Sequence, residues 1–240
     1  MNPRDQNLLR RRTLLESLLA LSDDPRRMLG RLLVLLVVAQ ALLIAMHFAV
    51  TTLFADLAAQ TQDGHIGGFD LDDEATLAVW FSGSQLLVLS LVCLLLSWSD
   101  TVKTIRFSSA VMWRYTGAIM LIMSVDEVAG LHEVVGLAMA GLFPQAPIDK
   151  SLWWSIPYAL ALAPVFGFAV IRFVRNPRLA AVTVCSGLLW IAANALERVF
   201  LLPGTINVAL EEGFEMLGAT VLLGVFATHL LDLRASGSEA

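Results

Sequence analysis

The chain has 240 residues, 57% hydrophobic and only 15% charged, with a mean hydropathy of +0.72 and a formal charge of −5. Those proportions lie outside the range of soluble domains. The basic residues form no stripe interleaved with aromatics, which excludes a nucleic-acid surface and leaves membrane lipid as the expected surroundings.

Residues 1–28 hold Arg4, Arg10, Arg11, Arg12, Arg26 and Arg27. Leu8, Leu15, Leu18 and Leu19 share one helical face there, so the segment reads as an amphipathic helix lying on the membrane surface. Its arginines interrupt the apolar residues too often for a secretory signal. Asp23-Asp24-Pro25 marks a break before the first long apolar run.

Six such runs follow, at about 30–50, 77–98, 108–134, 152–174, 179–200 and 205–231, each near the ~20 residues that cross a bilayer. The expected fold is therefore all-α: a polytopic membrane protein with six transmembrane helices over 29–232 and a short disordered tail over 233–240. Cys93 and Cys185 both fall inside runs and read as small apolar residues, not as a disulfide.

Arginine placement sets the expected orientation. The connection at 51–75 has no Lys or Arg and is acidic, whereas Lys103, Arg106, Arg114, Arg172, Arg175 and Arg178 flank the next two connections on the other side. The positive-inside rule then puts both termini in the cytoplasm, in a cell inner membrane. Asp72 and Asp73 are expected to cap the second run, and Pro157 and Pro164 to kink the fourth.

Ionisable groups inside a membrane cost about 2.5–3.5 kcal/mol each on insertion scales and mark pathways or sites. The third run carries Asp126, Glu127, His132 and Glu133. The fifth ends in Asn194, Glu197 and Arg198, and the sixth opens with Asn207, Glu211, Glu212 and Glu215. With Gln85 and His47, all of these fall in the outer half of the predicted membrane. Seven carboxylates face one arginine and one histidine in those three runs, an imbalance that protons or cations must relieve.

Helical spacing narrows the set. Asn207, Glu211 and Glu215 form an i, i+4, i+8 stripe. Asp126 and Glu133 share a face, and a π-bulge near Gly130 would align Glu127 with His132. Glu212, turned about 100° from Glu211, is expected to be solvated or interfacial, as is His47. His229 lies far from the cluster.

Carboxylates with an imidazole suit a divalent ion such as iron, manganese or zinc. Glu133, Glu211 and Glu215 are the expected first ligands. Asp126, Glu127 and His132 are further ligands or acid/base groups, and Gln85, Asn194, Glu197, Arg198 and Asn207 support them. A lipid-like substrate is the expected reactant if the chain is an enzyme. The other two expectations are a proton- or cation-coupled transporter and a structural or assembly subunit; the almost wholly apolar inner halves of the second, fifth and sixth runs count against the transporter. No Glu-x-x-His pair, His-Glu-x-x-His or Gly-x-Ser-x-Gly element occurs.

Overall fold

Seven α-helices occur among the described residues of the computed structural model, which are 24–53, 67–71, 76–100, 103–104, 107–145, 153–196 and 204–237. They are α1 (Pro25–Leu53), α2 (Leu77–Ser99), α3 (Ser109–Ala129), α4 (Leu131–Leu142), α5 (Ser155–Arg172), α6 (Pro177–Leu196) and α7 (Gly204–Gly237). A 3-10 turn at Gly67–Phe69 precedes α2. Strands β1 (Lys103–Thr104) and β2 (Phe107–Ser108) pair antiparallel in the α2–α3 connection.

Five helices, α1, α2, α5, α6 and α7, are long and apolar enough to cross a membrane. Their outward faces remain greasy: Val34, Leu35, Leu91, Leu160 and Ile191 are all exposed. So much unpartnered apolar surface is what a bilayer covers.

The helices pack through small residues, which let backbones approach without the help of a hydrophobic driving force in lipid. On α2 and α3 the contact is reciprocal. Ser124 Oγ donates to Gly83 O at 2.7 Å and Ser90 Oγ donates to Gly117 O at 2.7 Å. A Cβ at either glycine would crowd the facing backbone. On α6 and α7, Ser186 Oγ donates to Gly218 O at 2.8 Å and Trp190 Nε1 to Glu215 O at 3.0 Å. Helix α1 lies antiparallel on α7, with Leu33 over Gly224 and Ile44 over Gly213. Midway along that pair Gln40 Nε2 and Gln85 Nε2 both donate to Thr220 Oγ1, at 2.5 and 2.6 Å, tying α1, α2 and α7 together.

The basic residues gather at one end. Arg26 pairs with Asp232 at 2.7 Å, and Arg172 grips the fully buried Asp100 in a fork, with Nε and Nη2 at 2.7 and 3.1 Å from its two oxygens. Trp113 Nε1 donates to the same carboxylate at 2.9 Å, and His229 Nε2 lies 3.4 Å away. Trp113 then packs edge-on against Phe168 and Phe226. His229 thus has its own partner at this end.

Several local expectations change. Thr76, not Asp72 or Asp73, caps α2, its hydroxyl accepting from Val79 N at 3.3 Å; the two aspartates lie outside the described residues. Pro157 falls in the first turn of α5, where its missing N–H leaves no gap, and Pro164 alone lies in the helix interior. Helix α7 runs on through Gly237, beyond the boundary expected at 232. The N-terminal amphipathic segment lies outside the described residues up to position 23.

The third run is the largest difference. One span over 108–134 is replaced by α3 and α4, separated at Gly130, which takes the left-handed conformation at φ 57°. Glycine adopts that geometry without the Cβ clash other residues meet.

Candidate functional site

The break at Gly130 builds the first half of the site. Asp126 sits in the last turn of α3 and is buried. Its Oδ1 accepts the backbone N–H of His132, in the first turn of α4, at 2.5 Å. It therefore serves as the N-cap that Gly130 has no side chain to provide, a negative group at the positive end of the helix. Its Oδ2 accepts the Tyr158 hydroxyl from α5 and lies 3.3 Å from His132 Nδ1. A carboxylate holding Nδ1 fixes the imidazole plane and leaves Nε2 as the working nitrogen, the arrangement found behind ligand and acid/base histidines. Trp154 backs the ring at a centroid distance of 5.4 Å.

The second half is a group of three acids. One oxygen each from Glu127 on α3 and Glu212 and Glu215 on α7 lie within 4.8 Å of one another. Ser82 of α2 hydrogen-bonds Glu127 and so aims it at α7. Glu127 and Glu133 act electrostatically on His132, so the dyad and the acid group share one field.

Both halves open on one cavity of about 1110 Å³. Asp126, Glu127, His132, Glu133, Glu211, Glu212, Glu215 and Asn194 line it at the polar end, and the rest of the wall is mostly apolar side chains of α5, α6 and α7.

The expected residues divide as follows. Glu127 and Glu215 meet; Glu212, expected to be solvated, joins them in place of Glu211, which lines the cavity outside the close group. Glu133 is exposed at the rim, because the turn at Gly130 takes it off the face of Asp126. Glu127 and His132 are not aligned by a π-bulge; the helix is interrupted, and His132 turns to Asp126.

Asn207 is buried with Nδ2 donating to Leu196 O at 2.7 Å, and Gln85 belongs to the Thr220 layer, so both brace helices rather than line the cavity. Glu197 and Arg198 lie outside the described residues. His47 is buried, not interfacial: its Nδ1 accepts Leu71 N at 3.2 Å with Asp70 Oδ1 at 3.4 Å, pinning the 3-10 turn to α1. Sequence spacing does not single out Tyr158 or Asp100. The one signal for Asp100 is a lone acid among basic flanks, in line with Arg172.

A family model described as Domain of unknown function (DUF8692) matches residues 31–230, so the chain belongs to that family. No curated protein and no solved structure matches it.

Proposed function

We propose that the chain is an inner-membrane protein whose outward-facing acid group binds a divalent metal ion and presents it to a lipid-like substrate. The observation that carries this is the convergence of Glu127, Glu212 and Glu215 from two helices to within 4.8 Å at the polar end of an otherwise apolar cavity. Carboxylates this close either share a cation or perturb each other's ionisation strongly. Oxygen donors favour manganese, magnesium or iron, and His132 lines the same cavity outside the close acid group. When bound, the ion supplies Lewis acidity.

The protein's own part follows from the dyad. Asp126 holds His132 in one orientation, Tyr158 and the backbone N–H of His132 hold Asp126, and the imidazole is left to move a proton at Nε2 beside the acid group. The rest of the cavity wall is mostly apolar, which suits a lipid-like substrate.

Elemental analysis of the purified protein beside Glu127→Gln and Glu215→Gln tests the metal. Wild type should carry close to one equivalent of a divalent ion and each variant far less; below about a tenth of an equivalent in all three, the proposal fails. The transporter reading gains less support. Between the acid group and the Asp100–Arg172 pair the interior is closed by Leu89, Cys93, Met120, Leu222 and Phe226, all fully buried.

A further inference from the structure

Helix α4 is apolar but too short to cross a membrane. Its place follows from α3, which runs antiparallel along α2, with Trp113 at the level of Asp100, Gly117 at Ser90 and Ser124 at Gly83. From Gly83 only about 9 Å of α2 remains before its start at Leu77, at about 1.5 Å per residue. The 23 residues of α2 already cover about 35 Å, more than the ~30 Å hydrocarbon core. The bilayer's thickness is therefore used up near Gly130. The 12 residues of α4, about 18 Å of helix, come after it.

An apolar helix of that length either belongs to a buried core or lies at a membrane interface. Burial rejects the core. His132, Gly136 and Ala140, spaced i, i+4, i+8, form one narrow stripe turned to the protein, half-buried, buried and half-buried. The other side is open: Leu131, Val134, Val135, Leu137 and Leu142 are exposed, Leu137 at 67% and Leu142 at 70%. A Cβ at Gly141 would meet nothing within 4 Å. Beyond Glu133 the helix carries no charge, so water is a poor partner for this surface.

Two adjacent tryptophans hold α4 at both ends. His132 in its first turn lies against Trp154, and Phe143 at its C-cap stacks on Trp153, each at a ring-centroid distance of 5.4 Å. The helix therefore lies across the start of α5 rather than projecting away from the bundle. Tryptophan is also the residue that gathers at the boundary between lipid and water.

We propose that α4 is a membrane-interface helix, seated in the leaflet on the side of the acid group with Val134, Leu137 and Leu142 among the lipid chains. Its partner is the lipid surface itself, because α4 continues the greasy belt of the bundle at that end, where Leu77 and Trp80 of α2 and Ile156 of α5 are exposed. The helix carries no Lys or Arg, so apolar burial and not lipid charge seats it. Seated there, α4 fixes the height of His132 and opens the cavity mouth at the level of the headgroups. That consequence rests on the function proposed above; the seat of α4 does not.

Electron paramagnetic resonance of nitroxide labels tests this on the full chain in phosphatidylcholine nanodiscs, with Cys93 and Cys185 first replaced by alanine. Leu137→Cys carries the reporter, and Val134→Cys takes its place should the first variant not fold. Leu160→Cys, on the exposed face of α5, is the lipid reference, and Gln145→Cys, exposed just beyond α4, is the water reference.

The ratio of collisions with oxygen to collisions with a nickel chelate should be several-fold higher at Leu137 than at Gln145 and approach that at Leu160. A ratio equal to that at Gln145 puts α4 in water and overturns the proposal. So does a label at Leu137 sheltered from both reagents, which would mean that a second copy or another protein covers the face. Metal content enters none of these readings, so failure here and failure of the metal site are separate results.

Discussion

Asp100 and Asp126 show how two aspartates with the same chemistry take different work from their neighbours. Asp100 has no exposed surface and receives the Arg172 fork, the Trp113 indole and His229. Burial alone would raise its pKa, but the hydrogen bonds from His229, Arg172 and Trp113 and the guanidinium charge hold it well below the usual carboxylate range. A depressed folded pKa means that the stabilisation is complete above the unfolded value of about 3.9 and is lost as pH falls through the folded one. Asp100→Asn keeps the shape but leaves Arg172 facing an amide. It should cost about 3–5 kcal/mol, seen as a lower unfolding temperature across neutral pH. An unfolding temperature within a degree or so of wild type would show the pair to be dispensable. Asp126 instead spends one oxygen on capping α4 and the other on Tyr158 and His132.

At the scale of elements, small residues decide which helices touch. Gly218 on α7 lies so close under Trp190 that a Cβ there would overlap the indole. Trp190 also donates to the backbone of Glu215, so displacing the ring disturbs the α6–α7 contact beside the acid group. Gly218→Ala should therefore destabilise by about 1–3 kcal/mol, the usual cost of overpacking. It should also weaken metal retention, measurable by equilibrium dialysis. Gly224→Ala, where the neighbour is the flexible end of Leu33, should do neither to the same degree. Gly130 acts differently, through its backbone: the left-handed turn ends α3, starts α4 and swings His132 onto Asp126. A glycine between a carboxylate pair and a histidine was visible in the chain, but a bend, a bulge and a full break all use glycine. In the folded chain the full break goes with Asp126 accepting both the His132 N–H and the Tyr158 hydroxyl.

For the whole molecule, the Arg26–Asp232 and Arg172–Asp100 pairs place the start of α1 and the ends of α2, α5 and α7 together. On the outward-facing orientation proposed above, that end is the cytoplasmic one. Cysteines introduced at Asp24 and Ser236, after Cys93 and Cys185 are replaced by alanine, should react with an impermeant maleimide only when the cytoplasmic face is exposed. A cysteine at Gln145 should react from the opposite side. Labelling of all three from one side would remove the orientation, and with it the outward-facing site.

Helical composition and the membrane-length runs belong to the sequence itself, because burying backbone polar groups in lipid demands helices and a bilayer demands their length. The concentration of acids in the third and sixth runs was equally plain. What spacing along one helix cannot give is rotation about its axis relative to another. Whether Glu211 or Glu212 faces Glu127 depends on how α7 turns against α3, which Gly83, Gly117 and Gly218 set through contacts far apart in the chain. The same holds for Tyr158 reaching Asp126 and Arg172 reaching Asp100. Local spacing determines which groups share a face. Close packing between distant segments decides what that face meets.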